Sequence, residues 1–303
     1  MKVLVTGATG YIGGRLIPLL LEDGHGVRVL VRDAKRLESK PWAQEVEVVQ
    51  GDIQDFASLS EAMEGIQAAY YLVHAMCTGP DFATKDRTAA QAFVEAGQAL
   101  QQVIYLGGIL PRIGEGEDSE HLRSRAEVGD ILRNGLPTTE IRAGPIIGSG
   151  SASFEMVRYL TERLPVMVAP KWINNLVQPI AVDEVLAYLV GVLGRDEALG
   201  IIDVGAEPLP FKEMMLGYAQ VRELPRVIIP LPVLAPGLAA LWVGLVTPIP
   251  NCLAVPLVRG MVRPVVGDMT RSRALFPEIR PKPYLTAVEA ALKSTRNPVS
   301  YTH

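Results

Sequence analysis

The sequence predicts an α/β fold: a doubly wound parallel sheet with a smaller C-terminal lobe. Two observations predict it. The chain opens with a strand, a glycine-rich turn and a helix, and strand and helix patterns then alternate up to residue 142. Because alternating strands and helices form right-handed parallel crossovers, we expect the carboxyl ends of the strands to meet at one edge of the sheet, where ligands bind.

The first fifteen residues, MKVLVTGATGYIGGR, carry the strongest pattern. A short apolar strand at residues 2–5 is followed by Gly7, Gly10 and Gly13, and a helical pattern then begins. The spacing is G-x-x-G-x-x-G rather than the common G-x-G-x-x-G. Glycine permits a tight turn and a close backbone approach to a ligand, and the amino end of a helix favours a phosphate. The turn therefore predicts a phosphate-binding loop; the alternative is a turn that only packs helix on strand.

The other elements of the sheet follow in chain order. Apolar runs predict further strands at 27–31, 46–50, 68–73, 102–106 and 138–142, and helical patterns predict helices at 82–100 and 119–134, with a helix after the cap Asp55 that carries Leu59, Met63 and Ile66. Residues 111–118 are predicted to form a polar loop.

Beyond residue 143 the regularity fades. Gly144, Pro145, Gly148 and Gly150 indicate a loop. Helices are predicted at 153–163, 183–193 and 211–221, short strands near Val166 and Val177, and a returning strand at 201–204. We therefore expect a first domain over residues 1–150 and a smaller, partly interleaved lobe over 151–303.

Composition excludes several classes of protein. The 303 residues are 49% hydrophobic and 20% charged, which is typical of a soluble globular chain. A net charge of −4 gives no electrostatic reason to bind nucleic acid or an anionic membrane. Only Cys77 and Cys252 occur, so neither a disulfide framework nor a zinc site is expected, and the four histidines are scattered. With no signal-peptide pattern at the first residues, we expect a cytoplasmic protein without a bound metal.

The segment 225–264 is strongly apolar and dense in proline. Its longest proline-free run, GLAALWVGLVT at 237–247, is too short for a bilayer, which needs about 20 residues. One interpretation is a group of helices packed on the C-terminal lobe. The other is an exposed apolar patch for a lipophilic substrate or a peripheral contact with a membrane surface.

These motifs resemble those of the extended and atypical short-chain dehydrogenases/reductases. TGATGYIG at 6–13 matches the cofactor motif of that group, and Gly51-Asp52, Gly107-Gly108 and RAGPIIG at 142–148 fall where the group has them. QPIAVDEV at 178–185 resembles the segment before the group's substrate-lobe helix. YLVHAM, HLRSRAEVG and SGSASFEMVRYL look like a bacterial NmrA-like, epimerase-like, NAD(P)-binding branch. The resemblance covers residues 1–213 and implies a Rossmann-type fold and a nicotinamide dinucleotide more securely than a reaction.

The resemblance also implies a set of cofactor-binding residues at the strand ends. They are Gly7, Thr9, Gly10, Tyr11, Ile12 and Gly13 in the first turn, Arg32, Asp52 and Ile53 after the next two strands, His74 and Ala75 toward the nicotinamide, Gly107, Gly108 and Arg125, and Pro145 and Ile146 near the carboxamide. For His74 the alternative is a core histidine with satisfied hydrogen bonds.

The chain departs from the group at its expected catalytic pair. Members usually carry Tyr-x-x-x-Lys on the helix after the fifth strand, where this chain has His121 and Arg125. The i, i+4 spacing keeps both side chains on one helical face. A histidine can donate a proton near neutral pH, and an arginine can hold a ribose hydroxyl or an oxyanion. The alternative is that both only orient the cofactor or lie at the surface.

The end of the second predicted strand favours NADP over NAD. An arginine at this position accommodates the 2′-phosphate, whereas a carboxylate binds the 2′-hydroxyl of NAD. Arg32 occupies it, with Lys35 and Arg36 close behind, while Asp33 is the opposing signal. Ordinary solvated charge is the alternative explanation for Lys35 and Arg36.

Together the residues and the resemblance predict an NADP(H)-dependent oxidoreductase of the atypical short-chain type. Its small-molecule substrate would be a hydrophobic carbonyl or a quinone-like compound, with His121 as proton donor. The first alternative is a non-catalytic NADP(H)-binding sensor or structural subunit, favoured by the loss of the Tyr/Lys pair. The second is a nucleotide-sugar epimerase or dehydratase, against which the missing tyrosine and the apolar segment 225–264 both count.

Overall fold

The computed structural model describes residues 1–79, 81–111, 119–231 and 243–294. Its strands are β1 (Lys2–Thr6), β2 (Gly26–Val31), β3 (Glu47–Gln50), β4 (Ala68–Tyr71), β5 (Gln102–Gly108), β6 (Thr138–Ala143), β7 (Ile146–Ile147), β8 (Val166–Pro170), β9 (Leu176–Val177), β10 (Ile180–Ala181), β11 (Gly200–Val204), β12 (Leu209–Pro210) and β13 (Val227–Leu231). Its α-helices include α1 (Gly13–Glu22), α2 (Phe56–Met63), α3 (Phe82–Ala96), α4 (Glu120–Gly135), α5 (Ala152–Arg163), α6 (Val182–Gly191), α7 (Phe211–Val221), α8 (Asn251–Gly260), α9 (Thr270–Leu275) and α10 (Tyr284–Lys293).

Seven strands form one sheet in the order β3-β2-β1-β4-β5-β6-β11. The neighbouring pairs from β3 to β5 are all parallel. Chain order runs outward in both directions from β1 and β4, so these two strands flank the point where a doubly wound sheet opens a crevice for a ligand. The predicted fold class is therefore confirmed, including the returning strand, which joins β6 at the sheet edge.

Strand β1 is buried on both faces, as expected for the middle of a parallel sheet covered by helices. Val3, Leu4 and Val5 are fully buried. One face of the sheet packs a cluster that includes Leu4, Leu59, Phe93 and Leu132, from β1 and helices α2 to α4. At about 25 cal/mol per Å² of apolar surface, burial of this kind is the main force that holds the sheet and its helices together.

The chain divides into two compact units. The first takes residues 1–108, 124–142 and 186–202, and the second takes 109–123, 143–185 and 203–303. Both units take segments from either side of residue 150. The interleaving has a physical cause, because segment 186–202 is tied to the sheet. Gln102 donates to the Val192 carbonyl at 2.7 Å and accepts from the Gly194 amide at 2.9 Å, and Tyr70 donates to the Leu189 carbonyl at 2.8 Å.

The second unit has its own apolar core. Helices α5, α7, α8 and α10 contribute residues such as Phe154, Met214, Ala254 and Val288 to one buried cluster. The RAGPIIG and QPIAVDEV motifs meet here, because β7 pairs in parallel with β10. Gly144 lies so close to Gln178 that a Cβ at this glycine would stand 3.0 Å from the Gln178 carbonyl carbon. Only glycine fits this contact.

The prediction of helices throughout the apolar segment 225–264 is wrong at its start. Residues 227–231 form β13, which pairs in parallel with β8 from Val227↔Val166 to Leu231↔Pro170. The β-branched run Val227-Ile228-Ile229 suits a strand, which explains the difference. Residues 232–242 lie outside the described part of the chain, and α8 begins at Asn251.

This two-stranded sheet presents an apolar face to solvent. Alternate side chains are exposed: Val166 at 58%, Val168 at 48%, Val227 at 55% and Ile229 at 45%. Their neighbours Met167 and Ile228 point the other way and are buried. Of the helices in the described part, none is long and apolar enough to cross a membrane.

Both cysteines, Cys77 and Cys252, are disulfide-bonded, so the expectation that no disulfide would form is wrong. Of the predicted polar loop at 111–118, residues 112–118 lie outside the described residues.

A buried carboxylate is held between β6 and α4. Glu140 is 1% exposed and pairs with Arg142, whose Nε lies 2.7 Å from Oε1, and with Arg133. Two glycines make room for it: a Cβ at Gly107 or at Gly129 would stand 2.6 Å from a Glu140 carboxylate oxygen. A carboxylate is tolerated at this depth because both arginines compensate its charge.

We expect Glu140→Ala to lower the free energy of unfolding by roughly 3–5 kcal/mol, because it leaves two partly buried guanidinium groups without their counter-charge. Urea unfolding followed by circular dichroism measures this. Glu47→Ala is the matched control, since Glu47 also pairs with two cations, Lys2 and Arg28, but at the surface. Its effect should be much smaller. Equal losses in the two variants would mean that burial does not decide the cost.

Candidate functional site

The glycine turn after β1 is packed too tightly for side chains. Gly7 has φ of 75°, which favours glycine, and a Cβ there would stand 2.6 Å from the Leu72 carbonyl oxygen. A Cβ at Gly13 would stand 2.9 Å from the Gly7 carbonyl carbon. The turn is closed by a 2.9 Å hydrogen bond from the Gly10 amide to the Gly7 carbonyl. The sequence thus brings the amino end of α1 directly against the carboxyl end of β1.

The start of α1 has the properties of an anion site. Its N-cap residue, Ile12, supplies no side-chain hydrogen bond to the first turn. Trp42, which is buried, donates from its indole to the Gly14 carbonyl at 3.1 Å. Next to it, the Lys40 ammonium would lie 3.9 Å from a Cβ at Gly14. Sequence analysis did not single out Lys40, because it lies on an irregular segment far from the glycine motif in sequence.

The ends of β2 and β3 carry the other predicted cofactor residues of this edge. Arg32 and Lys35 are exposed. Asp33, the opposing signal for NADP, caps the 3₁₀ turn Ala34–Leu37 by accepting from the Lys35 amide at 3.0 Å. Asp52 closes a similar turn by accepting from the Gln54 amide at 2.9 Å. Both carboxylates thus have a local structural role. The predicted cap Asp55 is confirmed, since it accepts from Ser58 at the start of α2.

The exit of β4 holds an ordered polar cluster. His74 Nδ1 lies 2.6 Å from an Asp86 carboxylate oxygen. The other Asp86 oxygen accepts from the Ala75 amide at 2.8 Å, and the Ser124 hydroxyl donates to the first at 2.9 Å. Asp86 and Ser124 are each 2% exposed. His74 is therefore held by α3 and α4 together, and is not simply a side chain at a loop surface.

Burial favours the neutral imidazole of His74, whereas hydrogen bonds favour the ionised carboxylate of Asp86. Burial lowers the pKa of His74 below its ordinary value; the hydrogen bond to Asp86 opposes this shift, and the charge of Arg125 adds to it. Burial alone would raise the pKa of Asp86, but the hydrogen bonds from His74, Ala75 and Ser124 outweigh it and the net shift is downward.

The side chain of Arg125, from α4, reaches the end of β5. Its guanidinium donates to the Leu106 carbonyl and stands 6.0 Å from the centre of the Tyr105 ring. Tyr105 donates to the Arg125 carbonyl at 3.0 Å. Burial raises the pKa of Tyr105 and raises that of Tyr71 further, so neither phenol is suited to ionise in place of the missing tyrosine.

The remaining predicted residues lie on other elements. His121 is 8% exposed and stands in the first turn of α4, one turn before Arg125, so the predicted pair does share a helix. Gly107 and Gly108 are the last residues of β5 rather than a turn after it. In the second unit, the carbonyls of Pro145 and Ile146 accept from the Ile180 amide at 3.1 Å and the Ser151 hydroxyl at 2.6 Å.

Other site types find less support in the described residues. No group of three or more His, Cys, Asp or Glu is arranged there to hold a metal ion. The second unit contains an open pocket of about 430 Å³. Residues from segments 205–209 and 273–284 line this pocket, among them Glu207, Arg273, Phe276, Arg280 and Tyr284. None of the predicted site residues lines it.

Sequence reasoning missed Asp86 and Ser124. A signal for Asp86 was present: Phe82, Ala89, Ala90 and Phe93 mark the buried face of α3, and Asp86 lies on that face. A single carboxylate on an apolar helix face is buried only when partners compensate it. Ser124 gave no comparable signal, because a serine is unremarkable on a helix.

Comparison with known proteins agrees with this architecture. The model of the NmrA-like family matches residues 1–145. The (4-alkanoyl-5-oxo-2,5-dihydrofuran-3-yl)methyl phosphate reductase of Streptomyces griseus is 30% identical over 72% of this chain and 79% of its own. The ceramide reductase of Caulobacter vibrioides is 30% identical over 72% of this chain and 70% of its own. The UDP-glucose 4-epimerase of Thermus thermophilus, solved in complex with NAD, superposes with a TM-score of 0.71 at 18% identity, covering 99% of this chain and 100% of its own.

The fold and the reductases similar in sequence together place this chain in the short-chain dehydrogenase/reductase class and support an oxidoreductase. The chain belongs to the NmrA-like, atypical short-chain dehydrogenase/reductase family. The solved structures show the fold alone, whereas the reductases similar in sequence also support an oxidoreductase.

We expect Gly13→Ala to destabilise the fold by about 1–3 kcal/mol, because the new methyl group would overlap the Gly7 carbonyl. It should also abolish tight dinucleotide binding by displacing the start of α1. Gly14→Ala is the matched control, since its Cβ would stand 3.4 Å from the Ala8 carbonyl oxygen, close to ordinary contact. Urea unfolding and calorimetry with NADPH measure both effects. If the two variants behave alike, the tight turn is not what shapes the site.

Proposed function

We propose that this protein is an NADP(H)-dependent oxidoreductase that reduces a hydrophobic carbonyl or quinone-like substrate. The observation that carries the proposal is the turn between β1 and α1, whose glycines leave a cradle that a Cβ at Gly7 or Gly13 would fill. The cradle opens at the point between β1 and β4 where a dinucleotide binds in sheets of this order.

Residues of the first unit would hold the cofactor. The amide groups at the start of α1 would bind the pyrophosphate, with the Lys40 ammonium nearby. Asp52 and Ile53 would flank the adenine, and His74, Ala75 and Arg125 would lie toward the nicotinamide end. When bound, the reduced nicotinamide supplies a hydride; the protein positions it and manages the proton.

Two features support NADP over NAD. Arg32 follows β2 directly and is exposed, and a guanidinium can bind a phosphate bidentately. Asp33, the residue that would oppose a 2′-phosphate, already accepts a backbone hydrogen bond from Lys35 in its own turn. The carboxylate is thus engaged in a cap and is less suited to select the 2′-hydroxyl of NAD.

The hydrophobic substrate is supported by the relatives and by the second unit. One relative is a ceramide reductase, and 3β-hydroxysteroid dehydrogenases/isomerases of Mycobacterium tuberculosis match over 70 residues at 39% identity. The exposed apolar side chains of β8 and β13 belong to the unit expected to bind substrate. The same apolar face would serve a peripheral contact with a membrane.

Proton transfer is assigned to His121 and charge stabilisation to Arg125, which lie one turn apart on α4. A histidine can donate a proton to a carbonyl oxygen near neutral pH. A non-catalytic NADP(H)-binding sensor is the second candidate, favoured by the absence of the tyrosine and lysine that the family usually has at these two positions.

The cofactor assignment is tested with Arg32→Glu. We expect this variant to weaken NADPH binding by about 10- to 100-fold, since a charge-assisted hydrogen bond contributes roughly 1.5–3 kcal/mol, and to leave NADH binding nearly unchanged. Calorimetry with both dinucleotides measures the difference. Lys293→Glu, the same charge change at the end of α10, controls for net charge. Equal weakening of NADPH and NADH would refute the assignment of NADP.

The reaction is tested by a screen of lipophilic aldehydes, ketones and quinones for oxidation of NADPH, followed at the cofactor's absorbance. Once a substrate is found, we expect His121→Ala to lower kcat by about 10²- to 10⁴-fold while NADPH still binds. Unchanged turnover would remove His121 from the mechanism. Tight NADPH binding without oxidation by any compound in the screen would favour the non-catalytic alternative.

A further inference from the structure

The open pocket of about 430 Å³ in the second unit is not used by the proposed reaction, since none of the predicted site residues lines it. Its volume lies in the range of about 300–1,000 Å³ that is typical of pockets for small molecules. Both lining segments, 205–209 and 273–284, belong to the second unit. The pocket is therefore a candidate for a ligand site of its own.

Both segments that line the pocket are held by the same part of the chain, residues 178–184. The Gln178 side chain donates to the Ala206 carbonyl at 2.7 Å. The Lys282 amide donates to the Glu184 carboxylate at 2.6 Å. Because these hydrogen bonds fix both segments, the pocket is already formed before a ligand arrives.

The apolar surface that the pocket offers is mainly aliphatic. Leu209 and Ile279 are half-buried and line it. Of its two aromatic residues, Phe276 is fully buried and Tyr284 is 9% exposed, so neither ring presents a free face for stacking. The lining therefore suits a flexible acyl chain better than an aromatic ring.

The backbone around the pocket has few amide groups left for a ligand. Four of the lining residues are prolines, which have no N–H: Pro208, Pro277, Pro281 and Pro283. Five others already donate their amide hydrogen within the chain: Ala206, Arg273, Phe276, Ile279 and Lys282. A polar group on a ligand must therefore be recognised mainly by side chains.

One positive charge at the pocket has no counter-charge. Arg273 pairs with Glu207 at 3.1 Å, and Lys282 pairs with Asp183. Arg280 also lines the pocket and is exposed, and its guanidinium makes no ion pair or hydrogen bond with the described part of the chain. A guanidinium can bind a carboxylate through two parallel hydrogen bonds. The arrangement favours a ligand with a single carboxylate.

We propose that this pocket binds a small fatty-acid-like carboxylate, with its acyl chain against Leu209 and Ile279 and its carboxylate on the Arg280 guanidinium. A phosphate dianion would need a second free cation, and the other two cations at the pocket are already paired. The proposal goes beyond the proposed reaction and does not depend on a dinucleotide, because none of these residues belongs to the cofactor set.

The position of the ligand is tested by NMR on full-length protein with ¹³C-labelled isoleucine methyl groups, using octanoate as the probe. Ile279→Val and Ile229→Val assign the two signals that matter. We expect millimolar octanoate to shift the Ile279 signal and to leave Ile229, on the exposed face of β13, unchanged. A shift of Ile229 alone would place the chain on that face and overturn the proposal. No shift of either signal would overturn it as well.

The carboxylate contact is tested by the same titration on Arg280→Gln. We expect octanoate to bind about three- to tenfold more weakly, which corresponds to the loss of one hydrogen bond from an exposed group. Lys293→Gln removes the same charge at the exposed end of α10 and should leave the affinity unchanged. An unchanged affinity in Arg280→Gln would refute the contact.

A second probe, 1-octanol, separates the charge from the shape of the pocket. It has the same chain length as octanoate but no carboxylate, so its affinity should be the same for the wild-type protein and for Arg280→Gln. An equal loss of affinity for octanoate and 1-octanol in that variant would mean that Arg280 shapes the pocket without binding a carboxylate, and the proposal would fail.

Discussion

The contact between Gly7 and the backbone of Leu72 is the constraint on which the candidate site depends. Pairing of β1 with β4 brings these two chain segments together at the carboxyl edge of the sheet. A Cβ at Gly7 would stand 2.6 Å from the Leu72 carbonyl, so any side chain would push the turn away from β4. This close contact fixes the position of α1. It also fixes the path of the chain from β4 to His74.

The first unit buries two carboxylates, Glu140 and Asp86, and each is compensated in a different way. Glu140 is paired with two arginines, so its charge is balanced by charge. Asp86 is held by a neutral ring, a backbone amide and a hydroxyl, so its charge is spread over hydrogen bonds. The first arrangement balances the carboxylate with opposite charge, whereas the second places a titratable ring beside the carboxylate, at the exit of β4.

Much of the fold could be predicted because it rests on local patterns. The strands of the main sheet and α7 lie close to their predicted bounds, since apolar runs and helical periodicity report burial residue by residue. The strand β13 could not be told from a helix, because a short apolar run lacks a decisive period and its partner β8 lies sixty residues earlier in the chain. The interleaving of the two units was only partly foreseen, because it depends on side chains such as Gln102 that bind segments distant in sequence.

The site was predictable where a motif is contiguous and unpredictable where it is assembled. The glycine spacing at residues 7–13 can be recognised in the sequence. His74, Asp86 and Ser124, in contrast, come from three separate segments and meet only in the folded chain. Lys40 likewise comes close to the glycine turn only in the folded chain. A site formed by one segment can be predicted from that segment, whereas a site shared between segments can be predicted only once the topology is known.

Gly107 leaves room for a buried carboxylate near the end of β5. The space that a side chain at position 107 would occupy holds the carboxylate of Glu140, which two arginines keep in place. A side chain introduced at position 107 alone would therefore displace a buried anion, and shortening residue 140 alone would leave two cations without their counter-charge. The two positions are coupled: a variant with a side chain at residue 107 also needs a shorter residue 140 and a change of at least one arginine.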